Sequence, residues 1–245
     1  MTHLELIGVE GLPEVRPGDD LGQLIGSRSK LEPGDVIVVA QKVVSKSEGR
    51  IVNLQTVTAS SEAVRIAADL VAGPDARMVQ VILDESVRVL RSQRVLITET
   101  RHGFVCANGG VDHSNVPGVD QVTLLPEDPD ASADRLRSSL REMTGVDVGV
   151  IVSDTFGRPW RLGIVNVALG VAGLPALLDL RGSLDDAGKP LHATVLAIAD
   201  DVAAAAGIVM GKTARTPAVI VRGLRLEGSG SGRDLVRPAA EDLFR

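Results

Sequence analysis

Two short runs of this chain, residues 36–40 (V-I-V-V-A) and 217–221 (P-A-V-I-V), are apolar throughout, and a third, residues 146–152, is rich in valine and isoleucine. A strand with one wetted face alternates apolar and polar residues, whereas a continuously apolar run must be covered on both faces. The runs therefore predict interior strands of an α/β architecture, whose chemistry collects in the loops at the carboxyl ends of its strands. Polar residues that directly follow such a run become candidates for function.

The remaining pattern supplies elements around those strands. Residues 4–9 read as a first strand, and Asp19 or Asp20 can cap a short helix carrying Leu21, Leu24 and Ile25. Ser60 or Ser61 caps a helix to about residue 71, Gly73-Pro74-Asp75 ends it, and an amphipathic segment continues to about residue 90. Short strands follow near residues 95–98, 104–105 and 122–125, and Asp130 or Ser132 starts a helix stopped by Gly145. Residues 164–177 are apolar but decide neither helix nor strand. Residues 195–210 read as a buried alanine-rich helix, and the Gly/Ser run 228–232 as a flexible surface excursion. Trp160, the only tryptophan, reads as a core anchor.

Composition narrows the function. At 245 residues the chain holds one large domain or two intimate ones. Aromatics are 2% and tyrosine is absent, so the core is aliphatic and base stacking is poorly provided for. A net charge of −6 argues against a general phosphate-backbone binder, so a polyanionic ligand must be met by local lysines, arginines or metal. Cys106 is alone, which excludes an internal disulfide and a multi-cysteine zinc site. With no signal-peptide core after Met1 and no apolar run near the roughly 18 residues of a membrane span, no membrane association and a cytoplasmic location are expected.

The most informative stretch is residues 150–161, V-I-V-S-D-T-F-G-R-P-W-R. The strand is expected to deliver Asp154 and Thr155 to its carboxyl end, just before a Gly-Arg-Pro turn. A carboxylate beside a hydroxyl suits a hard divalent cation such as magnesium. Arg158 and Arg161 follow closely enough to clamp an anion beside that metal. A second loop, residues 107–118, offers two glycines and the oxygens of Asp112 and Asn115. Both stretches are also ordinary turn compositions. Lys42 and Lys46 follow the 36–40 strand and share a face if that segment is helical, as solvated charges or as phosphate contacts. The run G-I-V-M-G-K-T at 207–213 is one residue short of a P-loop and follows a helix, so no Walker-type loop is expected.

Six fragments extend these signals: G-L-P-E-V-R-P-G-D-D, G-D-V-I-V-V-A-Q-K-V-V-S-K-S-E-G-R, L-I-T-E-T-R-x-G, G-G-V-D-x-S-N-V, I-V-S-D-T-F-G-R-P-W-R and T-P-A-V-I-V-R-G. In that order they resemble the coenzyme F-420-0:gamma-glutamyl ligase family across essentially the whole chain. The resemblance implies an α+β (mixed α/β) fold of two interleaved subdomains and an intertwined homodimer. It implies a GTP-dependent enzyme that joins L-glutamate to a deazaflavin precursor and extends gamma-linked amides, with GTP as co-substrate, one or two Mg2+ or Mn2+ ions, and K+ as a further candidate ion. Carried over by motif, the metal ligands are Asp112, Asp154 and Thr155. Nucleotide contacts are Leu12, Pro13, Glu14, Val15, Gln41, Lys46, Asn115 and the strip 210–217, beginning Met210, Gly211, Lys212 and Thr213. Gln41 stands where similar proteins commonly carry Ser or Thr. Lys212 stands where archaeal relatives tend to place an acidic or amide residue, and a protonated lysine cannot ligate a second metal.

The expected catalytic set is Asp112, Asp154, Arg158 and Arg161, acting in phosphoryl transfer to a carboxylate and then amide formation. A metal-dependent phosphohydrolase with Asp154 as nucleophile is a rival reading, but it wants a second aspartate where Phe156 stands. A non-catalytic partner module of a flavin domain is another. A nitroreductase-like FMN domain, joined after this domain in actinobacterial relatives, is not expected within these residues. No nucleic-acid partner is expected.

Overall fold

The computed structural model describes residues 3–71, 73–114, 118 and 120–242. Along the chain, β1 (Glu5–Gly8), α1 (Leu21–Gly26), β2 (Val36–Ala40) and α2 (Gln41–Ser47) come first. Then follow β3 (Ile51–Asn53), α3 (Ser61–Asp69), α4 (Ala76–Asp84), β4 (Ser86–Arg91), β5 (Ile97–Thr100), β6 (Val105–Ala107) and β7 (Gln121–Thr123). The last group is α5 (Pro129–Thr144), β8 (Gly149–Arg158), β9 (Arg161–Ala172), β10 (Leu178–Asp179), β11 (Val195–Leu196), α6 (Ile198–Met210) and β12 (Ala218–Arg222).

The apolar runs are neighbours in a five-stranded sheet ordered β1-β12-β2-β8-β9. β12 pairs antiparallel with β2, placing Ile220 opposite Ile37, and β2 pairs parallel with β8, placing Val38 opposite Ile151. Successive side chains face opposite ways, so each strand packs on both faces of the sheet. Ile37, Val39, Val150, Val152 and Ile220 pack with Leu21 and Ile25 of α1 and with Leu136 and Leu140 of α5. Val36, Val38, Ile151, Val219 and Val221 pack with Ala199, Val202, Ala203 and Ala206 of α6. Each fully buried Val, Leu or Ile contributes about 1.5–3 kcal/mol, so covering both faces is what holds the sheet. The mixed helix and strand content agrees with the α+β expectation.

Side-chain oxygens fix the helix starts. Asp20 accepts the Gln23 amide, Ser60 the Ala63 amide, Asp75 the Arg77 amide and Asp128 the Ala131 amide. Such a cap stabilises a helix by about 1 kcal/mol. Asp130 and Ser132 are therefore inside α5 rather than at its cap. The amphipathic segment expected to reach about residue 90 instead ends as α4 at Asp84 and turns into β4. Residues 195–196 form β11, and α6 begins only at Ile198.

Between α2 and α5 the chain builds a second core from Leu54, Ile66, Leu70, Val79, Ile82, Leu96, Val122 and Leu124. Arg50 pins its base by donating to the Leu125 carbonyl (3.0 Å) and the Glu85 carboxylate (2.8 Å). Among the described residues, no helix is long and apolar enough to cross a membrane.

Two expectations about the end of β8 are corrected. Asp154 is not at a strand end: the ladder continues with Asp154 opposite Val167 and Thr155 opposite Asn166, out to Arg158 opposite Arg161. Most of the stretch 164–177, undecided in sequence, belongs to the partner strand β9 (Arg161–Ala172) that makes this continuation possible. A register shift between Val152 and Ser153 marks where this hairpin leaves the core. Beyond it the hairpin runs into solvent as an arm, and Trp160 at its tip is 78% exposed rather than a core anchor.

The 228–232 run is also corrected, because it closes against the fold. The Gly232 amide donates to Asp130 Oδ1 (2.7 Å) and the Ser231 hydroxyl to Asp130 Oδ2 (2.6 Å). A Cβ on Gly232 would lie 2.1 Å from the Leu169 carbonyl oxygen, so only glycine permits this approach. Asp130 Oδ1 also accepts the Val171 amide (2.8 Å), and Asp200 Oδ1 the Ala168 amide (2.8 Å).

Candidate active site

Helix α2 begins directly at the end of β2, so the backbone of a buried strand fixes where its lysines start. The segment is helical, as the shared-face reading of Lys42 and Lys46 required, yet the two ammonium groups go to different partners. Lys42 reaches the second core, 70 residues away in sequence, where Nζ donates to Asp112 Oδ2 at 2.7 Å. It also donates to the Ser114 carbonyl (2.8 Å) and hydroxyl (2.7 Å). Lys46, only 5% exposed, donates to Glu14 Oε1.

Asp112 is held by its backbone as well as its side chain. Its amide and carbonyl pair with Thr123 (3.0 and 2.8 Å). Its Oδ1 accepts the Ser114 amide at 2.7 Å and its Oδ2 the Ser114 hydroxyl at 2.9 Å. Burial alone would raise the Asp112 carboxyl, but hydrogen bonds from Lys42 and the Ser114 amide outweigh it and hold the group below the usual range.

Asp154 stands where the arm leaves the core, and its Oδ1 accepts the Thr155 amide at 2.8 Å. Burial pushes its carboxyl up to about 6; the Thr155 amide and the Lys212 charge oppose that shift, and the Asp112 charge adds to it. Asp112 and Asp154 are thus close enough to feel each other's charge, although they come from separate packing units. The thiol of Cys106 on β6 is pushed up to about 12 by burial and then by Asp154, which leaves it inert beside the carboxylate.

Helix α6 supplies the last member. Gly211 ends it with φ 52° and ψ −168°, a backbone state open essentially to glycine, and this swings Lys212 toward the sheet. Lys212 Nζ donates to Thr155 Oγ1 at 2.7 Å. The Lys42–Asp112 pair and the Asp154–Thr155–Lys212 group are thus linked through their charges, since Asp112 and Lys42 both act on Asp154, while Lys46 of α2 pairs with Glu14 before α1.

The other sequence candidates take different places. Gln41 is 2% exposed and its amide oxygen accepts the Ser45 hydroxyl (2.9 Å), so it is turned into the helix packing. Val15 and Met210 are core residues, Leu12 is packed against the first core, and Pro13 and Thr213 are exposed. Asn115 lies outside the described residues. Arg158 and Arg161 face each other at the arm's tip, and Arg158 donates to the Leu162 carbonyl. Arg158 is four residues along β8 from Asp154, about 13 Å at strand rise, and its guanidinium is engaged at the arm's own turn. Sequence reasoning missed the Lys42–Asp112 pair, whose separation leaves no local signal. Ser114 could have been found from the D-x-S spacing, which lets an aspartate accept the amide two residues on.

A divalent ion can be tested against this donor set. Among the described residues, no group of three or more His, Cys, Asp or Glu side chains comes together. The oxygen donors available are the Asp154 carboxylate with the adjacent Thr155 hydroxyl, and the Asp112 carboxylate whose charge reaches Asp154; these types suit Mg2+, which commonly keeps one or two carboxylates together with water and substrate phosphate.

Residues 11–223 match the family described as F420-0:Gamma-glutamyl ligase. Over their whole length, similar proteins include the coenzyme F420:L-glutamate ligase of Methanopyrus kandleri, 47% identical with 100% of each chain covered. That of Methanothermobacter thermautotrophicus is 46% identical with 99% of each chain covered. That of Methanocaldococcus jannaschii is 44% identical, with 99% of this chain and 97% of the relative covered. A family match across most of the chain and relatives of this identity over its full length place it: the chain belongs to the F420-0:gamma-glutamyl ligase family.

Proposed function

We propose that this chain is a GTP- and divalent-metal-dependent ligase that joins L-glutamate to the deazaflavin precursor F420-0 and extends the product through gamma-linked amides. The observation that carries the reading is that the Asp112 charge acts on Asp154, with Lys42 hydrogen-bonded to Asp112 and Lys212 to Thr155. The names of the relatives support the glutamate and F420 assignments.

A carboxylate does not condense with an amine in water. In the proposed course a carboxylate oxygen of the precursor attacks the γ-phosphorus of GTP and GDP departs. The glutamate amine then attacks the acyl-phosphate carbonyl, releasing phosphate and a proton. The protein's task is to position these groups and to offset their charge. Residues 12–15 and the strip 210–217 are assigned to the nucleotide, with Lys46 exchanging Glu14 for a phosphate oxygen. A Mg2+ or Mn2+ ion on Asp112, Asp154 and Thr155 would neutralise phosphate charge. Lys212 brings a positive charge to the Thr155 end of the site and cannot ligate while protonated, so we assign one ion, with Lys212 free to turn to a phosphate oxygen.

The reading includes a homodimer formed through the β8–β9 arm, where Trp160, Leu162 and Ile164 are 78%, 97% and 58% exposed. Arg158 and Arg161 belong to that arm and enter the site only through such pairing.

The test is thermal melting with Mn2+ plus GTP or Mn2+ plus ATP, beside ligation of labelled glutamate to F420-0. GTP at one hundred times its dissociation constant should add about 2.7 kcal/mol. For a chain of this size that is a rise of about 5–10 °C. Equal shifts with ATP would remove the nucleotide preference, and no GTP-dependent ligation would remove the function.

A further inference from the structure

Two of the three groups assigned to the metal, Asp112 and Thr155, already hold cations of the protein's own. All three protons of the Lys42 ammonium are used, on Asp112 Oδ2, the Ser114 carbonyl and the Ser114 hydroxyl. Asp112 Oδ2 receives Lys42 and the Ser114 hydroxyl, and Oδ1 receives the Ser114 amide, which takes most of that carboxylate's lone pairs. Thr155 Oγ1 receives Lys212. In charge, two carboxylates face two ammonium groups, so the site is neutral by itself. A divalent ion entering alone would bring two positive charges into a neutral site and displace the hydrogen bonds of Lys42 to Asp112 and of Lys212 to Thr155. A triphosphate changes both terms, because it carries excess negative charge and offers the lysines new oxygens. The Lys46–Glu14 pair repeats the arrangement one turn further along α2. The α2 backbone is fixed by the burial of Val44, Ser45 and Lys46, so the exchange is confined to flexible lysine side chains.

We propose that Lys42 and Lys212 are resident counter-cations of the metal site, which the nucleotide triphosphate draws off, so that the divalent ion binds tightly only together with nucleotide. The proposal rests on the metal-site reading above. It makes the two lysines positioning residues that set the order of ligand entry, and it gives Asp112 a partner in the absence of ligand.

The test is a Mn2+ titration followed by the paramagnetic resonance signal of free ion, without nucleotide and with a non-hydrolysable GTP analogue. Lys42→Met and Lys212→Met are compared with the parent protein, because methionine removes the charge and brings no hard oxygen ligand. The parent should bind Mn2+ at least about tenfold more weakly without the analogue. Each variant should bind Mn2+ alone about tenfold more tightly than the parent and lose most of its dependence on the analogue; either variant suffices if the other does not fold. Unchanged Mn2+ affinity in the folded variants, with Mn2+ still lost in Asp154→Asn, overturns the counter-cation role and leaves the metal site standing. Failure of every form to bind Mn2+, with or without analogue, overturns the metal-site reading and this inference with it.

Discussion

Asp112→Asn and Asp154→Asn should end turnover equally while moving stability in different directions. At Asp112 the amide nitrogen of asparagine would face the Lys42 ammonium in place of Oδ2, now 2.7 Å away, setting donor against donor. A hydrogen bond to a charged group is worth about 1.5–3 kcal/mol. The Asp112 side chain is 40% exposed, so solvent screening reduces the expected loss to about 1 kcal/mol. In a chain of this length that is a melting temperature lower by about 2–4 °C. At Asp154 the substitution removes a charge that burial disfavours, and the asparagine carbonyl can still accept the Thr155 amide. Its melting temperature should be unchanged or higher. Loss of either carboxylate removes half of the site's negative charge, and turnover should fall about a thousandfold or more, about 4 kcal/mol of transition-state stabilisation. The double variant should be scarcely worse than either single one, because the two groups act as a unit. The assay is GTP- and Mn2+-dependent glutamate ligation beside thermal melts of the three variants. Near-normal turnover in either single variant, or losses that multiply in the double one, would refute the shared site.

Three further outcomes follow from the same geometry. Trp160→Ser combined with Leu162→Asp should convert a dimer to a monomer by light scattering; a parent protein that is itself monomeric at high concentration would dismiss the arm as a pairing element. Gly232→Ala places a methyl 2.1 Å from the Leu169 carbonyl oxygen and should destabilise by about 1–3 kcal/mol, read as a lower denaturation midpoint, whereas an unchanged midpoint would mean that the segment does not hold its place. Asp200 is raised by burial, so its folded pKa lies above its unfolded one and its destabilising share appears as pH rises through the carboxylate range. Asp200→Asn should therefore be more stable than the parent at neutral pH, with the advantage vanishing in acid; an equal advantage at both pH values would contradict the burial account.

The continuous apolar runs were legible because double-faced burial leaves no polar positions, and β2 and β12 lie where that pattern predicts. Asp20 and Ser60 were legible as caps because capping is decided within three residues. The reach of β8 was not, since whether Asp154 ends a strand or sits within one depends on β9 pairing beside it, and the apolar pattern of β9 suits a helix as well. Trp160 misled for the same reason: size argues for the core, but the arm carries it outward. Within the site, Asp112, Asp154 and Thr155 carried a residue-type signal. The Lys42 contact is set by how the second core docks beside α2, which no local spacing encodes. The inward turn of Gln41 was not legible because its position after a strand says nothing about which way its side chain turns.

The two aspartates that accept amides from β9 also decide which part of this molecule can meet another. β9 is a terminal strand of its sheet, as β1 is at the opposite margin, and a terminal strand with open amides is a template for indiscriminate strand addition. Asp200 on α6 occupies the Ala168 amide, Asp130 on α5 occupies the Val171 amide, and the 231–232 segment lies over Leu169. Along its buried half the margin of the sheet is thus closed by side chains and by a strap of the same chain. The stretch of β9 that continues into the arm lies beyond these closures, so at this margin of the sheet strand addition is steered away from the core and toward the arm, which also carries exposed apolar side chains.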